Sequence, residues 1–142
     1  MRRCYALRVY GYVVMPEHVH LLVSEPLRKT LAVALQSLKQ GVSRRLIGDS
    51  DHFRQHRYYD FNIRDSSQFL EKLRYIHGNP VLRGLCKSPE PWQWSSYNHY
   101  ATGSLGQVEI ESEWTANRRE REAGTLCEAN ISNSSPTQRK ER

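Results

Sequence analysis

The chain has 142 residues, enough for one domain with a hydrophobic core and too few for two ordinary domains. Its formal net charge is +6, and residues 1–104 carry the excess, with 15 Lys/Arg against 8 Asp/Glu, while residues 105–142 hold 6 against 7; this suits a surface that meets polyanions, although solubility alone would also account for it. Three widely spaced cysteines, Cys4, Cys86 and Cys127, argue against a disulfide framework or a zinc knuckle, and the absence of a long apolar run or signal-peptide pattern makes a reducing, cytoplasmic setting the expectation.

The stretch Tyr5–Val14, rich in Tyr, Val and Leu, reads as a strand, and His18–Val23 as a second. The link Met15-Pro16-Glu17 is short enough for an antiparallel hairpin, and Pro16, which has no N–H to donate, belongs in its turn. Side chains alternate along a strand, so His18 and His20 are expected on one face with Val19 buried on the other. Two imidazoles on one face can form half of a metal site through neutral ring nitrogens, leaving positions for oxygen ligands such as a phosphate. The pair would serve equally as structural or surface histidines.

Leu31, Leu35, Leu38, Val42 and Leu46 mark an amphipathic helix that begins near Thr30 and stops near Gly48. Lys39, Arg44 and Arg45 make its solvent side basic, which suits a helix that covers a sheet as well as one that touches DNA. The run 51–61, with Arg54 and Arg57 among Phe53, Tyr58, Tyr59 and Phe61, interleaves cations with rings as a single-stranded or hairpin nucleic acid would require. Its aromatics could also be core anchors of a connecting loop.

Asp65 and Gln68 form a variant capping box for a helix reaching about His77. Phe69, Leu73 and Ile76, with Leu70 beside them, define its buried stripe, while Gln68, Glu71, Lys72 and Tyr75 define a wet one. Pro80 disfavours the helical conformation at Asn79, so the helix should fail there. The aromatics of Pro89–Tyr97 are expected to close the core, with base stacking as the lesser reading, and Val108, Ile110 and Trp114 to dock one more segment. The mean hydropathy of −0.73 and the polar composition make residues 116–142 a mostly disordered tail after a domain over 1–115.

An exposed tyrosine can serve as a covalent nucleophile once its phenol, with a free pKa of about 10, is deprotonated or polarised. Joined to a two-histidine cation site and a basic aromatic surface, it suggests phosphoryl transfer through a phosphotyrosine.

Three blocks carry a more specific signal: Val13-Val14-Met15-Pro16-Glu17-His18-Val19-His20-Leu21-Leu22, then Tyr75-Ile76-His77-Gly78-Asn79-Pro80-Val81-Leu82-Arg83-Gly84-Leu85, then Trp94-Ser95-Ser96-Tyr97. In this order they resemble the IS200-like single-tyrosine transposases, and within these the branch called REP-associated tyrosine transposases, over roughly residues 5–115. The resemblance implies an α+β, ferredoxin-like antiparallel sheet of the HUH nuclease type, with helices packed on one face. It implies cutting and rejoining of single-stranded DNA beside REP-like hairpins. It further implies Mg²⁺ or Mn²⁺ held by His18, His20 and Asn79, with Tyr75 attacking to leave a 5′-phosphotyrosine and a free 3′-OH. Lys39, Arg44, Arg45, Arg54, Arg57, Lys72 and Arg74 are then candidate DNA contacts.

Members of that family usually carry a strand and a helix before the segment matching Tyr5–Val14, where this sequence has four residues. The expectation is an open sheet edge that invites pairing with a second copy or costs activity. Two alternatives therefore accompany the transposase reading: a hairpin-binding module that no longer cuts, and a metallohydrolase of small substrates, for which further His or Asp ligands are missing from clear motifs.

Overall fold

A computed structural model describes residues 2–46 and 58–132, with side chains over 3–45 and 58–124. The expected helix end near Gly48 and the part of the basic aromatic run that holds Arg54 and Arg57 lie outside the described residues. The chain divides into two compact units, residues 1–110 and 111–142.

In the first unit a single helical turn, α1 (Arg2–Tyr5), precedes the segment expected to be strand and overlaps it at Tyr5, and Ala6 at φ 50° ends the turn in the left-handed region. The strand proper, β1, runs Val9–Val14 and pairs antiparallel with β2, Val19–Val23. The N–H of Met15 donates to the carbonyl of His18 at 2.8 Å and closes the hairpin over Pro16-Glu17, as the proline required. Val13 lies opposite His20 and Val14 opposite Val19, and an irregularity between Val9 and Gly11 leaves Tyr10 as an extra residue on β1.

Alternation along these strands sends apolar residues into two clusters. Val13 and Leu22 meet Met15, Leu73 and Ile76, whereas Val9 and Tyr12 meet Ile110, with Leu21, Val23 and Val108 around them. His20 shares the face of Leu22 and Val13. Val19, expected to be buried, is 50% exposed, because it sits with exposed Val14 at the hairpin end, where neither cluster reaches. Ile110 docks as expected and is 2% exposed.

The block Trp94-Ser95-Ser96 plays a different part from the expected aromatic closure. Its backbone lies along the free edge of β1: Val14 N–H donates to the Trp94 carbonyl at 2.8 Å, Ser96 N–H to the Tyr12 carbonyl at 3.0 Å, and Ser95 bridges Val13 antiparallel. Trp94 itself is exposed, and Trp92 is the ring that packs against the core, with its indole N–H donating to the Val14 carbonyl at 3.1 Å. Edge groups that would otherwise be unpaired are thus satisfied by a three-residue ladder. The described residues confirm the α+β class, with an antiparallel hairpin and a helix packed on it.

That helix is α3, Ser66–Leu82. The Asp65 carboxylate accepts from Gln68 N–H at 2.8 Å, and the Gln68 side chain reaches back to accept from Arg64 N–H at 3.0 Å, so the capping box forms with its return bond one residue earlier than in the usual form. Leu73 and Ile76 are buried and Phe69 packs beside them, but Leu70 is exposed. Close approach of α3 explains Gly11: a Cβ there would stand 2.7 Å from Leu73 Cδ1. The helix does not fail at Asn79. It continues through Pro80, and Arg83 N–H then donates to the Asn79 carbonyl and Leu85 N–H to the Pro80 carbonyl, each at 2.9 Å. Proline removes one helical hydrogen bond at a cost of about 3 kcal/mol, and the near-complete burial of its ring offsets this.

The other helix of this part, α2, spans Leu31–Leu46, with Thr30 Oγ1 accepting from Val33 N–H at 3.4 Å. Among the described side chains of α2 only Ala34 is fully buried; of its apolar stripe Leu31, Leu35 and Leu38 are half-buried and Val42 is exposed. A short helix, α4 (Tyr97–Thr102), ends at Gly103 in the left-handed conformation, φ 71°.

The second unit contains α5, Glu113–Ser132, so residues 116–132 are helical where composition suggested a solvated tail. Good helix formers and charge pairs account for this: Arg118 lies 3.7 Å from Glu122 at i, i+4, and Arg119 lies 3.1 Å from Glu111. Trp114 on this helix is half exposed.

Candidate active site

His18, the last residue before β2, and His20 within it face each other at ring-centroid separation 4.6 Å, edge to face, with their Nε2 atoms 2.9 Å apart. From α3, Asn79 brings its amide Nδ2 to 3.1 Å from His20 Nε2. Tyr75, one turn earlier, sets its ring 5.6 Å from that of His20, again edge to face. The i, i+4 spacing of Tyr75 and Asn79 survives because the helix passes through Pro80. Four candidate residues from two segments are thus assembled in one place.

Their environments differ in a useful way. Asn79 is 5% exposed and Tyr75 is 50% exposed, so the amide forms the floor of the site and the phenol stands at its mouth. Burial, and secondarily the neighbouring His18, pushes the pKa of His20 below its usual value, which favours the neutral imidazole. A neutral ring that accepts at Nε2 is the ligating form of histidine.

The hydrogen-bond pattern tests whether a cation fits. His20 Nε2 lies within hydrogen-bond distance of both the Asn79 amide and His18 Nε2, and its single lone pair can accept from one of them at a time, so that lone pair is the focus of the cluster. Turning the Asn79 amide about its last bond would bring Oδ1 to the same point. Two imidazole nitrogens and one amide oxygen then converge, a donor set suited to a divalent cation with positions left for phosphate or water. No group of three or more His, Cys, Asp or Glu side chains placed to hold a metal occurs among the described residues, so the set depends on the asparagine.

Two flanking interactions carry no local sequence signal. The Glu17 carboxylate lies 3.8 Å from His18 Nδ1 and 3.5 Å from Arg83 Nη2, joining the hairpin turn to the end of α3. Behind the site, His77 Nε2 lies 2.8 Å from Ser96 Oγ, and that hydroxyl also accepts from Tyr12 N–H at 2.9 Å and donates to the Tyr12 carbonyl at 3.3 Å. One buried serine therefore ties α3, β1 and the edge ladder together. Both residues lie within the motif blocks, yet only the packed structure reveals their partners.

The candidate basic contacts are more dispersed. Lys72 stands one turn before Tyr75, with its ammonium 4.5 Å from the centroid of Phe61; Lys39 on α2 is 5.8 Å from that of Tyr58. Arg44, Arg45 and Arg74 are exposed. No described helix is long and apolar enough to cross a membrane.

No protein-family model matches the chain. A protein of Haemophilus influenzae described as "Putative REP-associated tyrosine transposase" is 26% identical over 107 residues, which is 66% of this chain and 61% of that one. The chain thus spans about six tenths of the length of the curated relative it matches. In fold it is similar to a REP-associated tyrosine transposase solved bound to a REP hairpin, with a TM-score of 0.64 and 19% identity, over 78% of this chain and 70% of the other. The resemblance carried by the three motif blocks is therefore matched by a relative in sequence and a neighbour in fold, both described in those terms.

Proposed function

We propose that this chain cuts and rejoins single-stranded DNA beside REP-like hairpins, with Tyr75 as the nucleophile. The observation that carries the reading is the meeting of Tyr75 and Asn79 with His18 and His20, with His20 and Asn79 brought together from positions 59 apart in sequence. Tyr75 is accessible to a phosphodiester, while the groups around it are held by packing. A DNA substrate also gives the basic first 104 residues a role.

In the cutting step the Tyr75 oxygen attacks phosphorus. A Tyr75–phosphorus bond forms, the bond to the 3′ oxygen breaks, the phenol gives up its proton and the departing oxygen takes one. The products are a 5′-phosphotyrosine and a free 3′-OH. Rejoining runs the same exchange in reverse with a 3′-OH as attacker, so the number of phosphodiesters is unchanged and no external energy source is needed. His18, His20 and the Asn79 amide oxygen would hold Mg²⁺ or Mn²⁺, which when bound supplies Lewis-acid polarisation of the scissile phosphate. The setting that follows from such a substrate is the cytoplasm, on the cell's own DNA.

The test is incubation with single-stranded hairpin DNA and Mn²⁺, scored for a protein–DNA adduct that survives denaturant. The wild-type chain is expected to form it, and Tyr75→Phe to reduce it to background while hairpin binding stays within about three-fold. Replacing both His18 and His20 by Ala should abolish the Mn²⁺-dependent cleavage. Cleavage by the Phe variant would sink the assignment, and hairpin binding without any adduct would leave a binding module in place of an enzyme.

A further inference from the structure

The segment Tyr58–Phe61 links α2 to α3 and presents three rings in four residues. Tyr58 lies against Lys39 of α2, Phe61 against Lys72 of α3, and Tyr59 between them is 90% exposed. Phe61 and Tyr58 are themselves 46% and 43% exposed, so the segment does not anchor a core. A cation beside a ring holds it in place electrostatically while leaving much of its surface to solvent. Single exposed aromatics are common, but three within four residues, with two ammonium groups among them, form a patch of defined chemistry.

We propose that Tyr58, Tyr59 and Phe61, with Lys39 and Lys72, form a stacking platform for the unpaired bases that flank a DNA hairpin, leading that strand toward Tyr75. The inference rests on the DNA reading above and adds to it the surface that holds the single strand. Ring faces stack on any base, and ammonium groups at their edges meet the phosphates between bases. Lys72 and Tyr75 are neighbours on one helix face at i, i+3, so a strand held at Phe61 lies one helical turn from the nucleophile. The segment spans at most about 10 Å from Tyr58 to Phe61, a reach suited to a few nucleotides. Two carboxylates lie nearby, Asp60 in the segment and Glu71, 3.6 Å from the Lys72 ammonium. The exposed Glu71 pair is worth little and yields readily to a phosphate.

The experiment compares two fluorescent oligonucleotides, a bare hairpin and the same hairpin with a five-nucleotide unpaired flank, bound to the full-length chain. The quantity read is the ratio of the two affinities. Tyr59→Ala is expected to lower that ratio at least five-fold, the lower end of what losing one base–aromatic stack costs, and Tyr59→Phe, which keeps the ring, to recover it. Tyr59 is so exposed that its truncation should leave the thermal melt unchanged, and Phe61→Ala supplies a second reading. Lys72→Gln should flatten the salt dependence for the flanked DNA by a slope of about 0.7, as expected for one phosphate contact on a single strand. A ratio unchanged in both alanine variants would overturn the platform while leaving the hairpin reading intact; a wild-type chain that binds neither oligonucleotide would overturn both.

Discussion

The hairpin with α3 and the arm formed by α2 with residues 58–61 are built to different standards. Val13, Leu22, Leu73 and Ile76 bury one another where the hairpin meets α3, and the histidines and Asn79 are held at the margin of that cluster. Among the described side chains of α2 only Ala34 is fully buried, Val42 is 40% exposed, and the nearby rings are covered on one side by lysines. Tight packing fixes distances, which a nucleophile and a cation site need. A lightly packed, charged and aromatic surface is suited to gripping a flexible strand. The proposed chemistry thus falls on tightly packed elements and the proposed grip on lightly packed ones.

The comparison can be broken first by truncating each region. Leu73→Ala should cost about 2–5 kcal/mol of stability, the range for a buried leucine whose cavity cannot fully collapse, and should lower the urea midpoint accordingly. A cost below about 1 kcal/mol would mean that α3 is not seated as described.

A second, intermediate effect sharpens the difference through pH. His77 is buried against Ser96, and burial lowers its pKa to about 4 from the ordinary 6.5. Because the folded pKa lies below the unfolded one, the unfolded chain binds more protons between these values. The contribution of the neutral, buried ring is complete above pH 6.5 and drains away as pH falls toward 4. The urea midpoint should therefore drop between pH 7 and pH 5, and His77→Gln should flatten that slope. An equal slope in the variant would remove His77 as the cause.

The smallest effect belongs to the arm. Val42→Ser on the exposed part of the α2 stripe should change stability by no more than about 0.5 kcal/mol, read from the same urea titration. A loss several times larger would show that this stripe is covered in solution, and the contrast with α3 would fail.

Much of the packed region was legible from local chemistry. The hairpin followed from strand composition on either side of Pro16, the start of α3 from Asp65 and Gln68, and the wet position of Tyr75 from its place opposite Leu73 and Ile76. The local cost of Pro80 points to a helix end at Asn79, whereas the burial of its ring lets the helix continue. In the block around Trp94 the expected core closure falls to Trp92 alone of the two tryptophans, while the backbone of Trp94–Ser96 closes the edge of β1, a role that side-chain composition does not signal. Polarity suggested a tail beyond residue 115, although the Arg and Glu residues of α5 are good helix formers at pairing distance.

By itself the sequence determined which residues could do chemistry and on which face of each element they lie, because strand and helix periods are local properties of the chain. Only the tertiary structure decided that His20 Nε2 meets the Asn79 amide, that Ser96 joins His77 to Tyr12, and that Phe61 lies beside Lys72 one turn from Tyr75. Those contacts depend on how a helix seats on a hairpin, through features such as the space that Gly11 leaves for Leu73. No local pattern encodes them, since packing selects them from the whole set of surfaces at once.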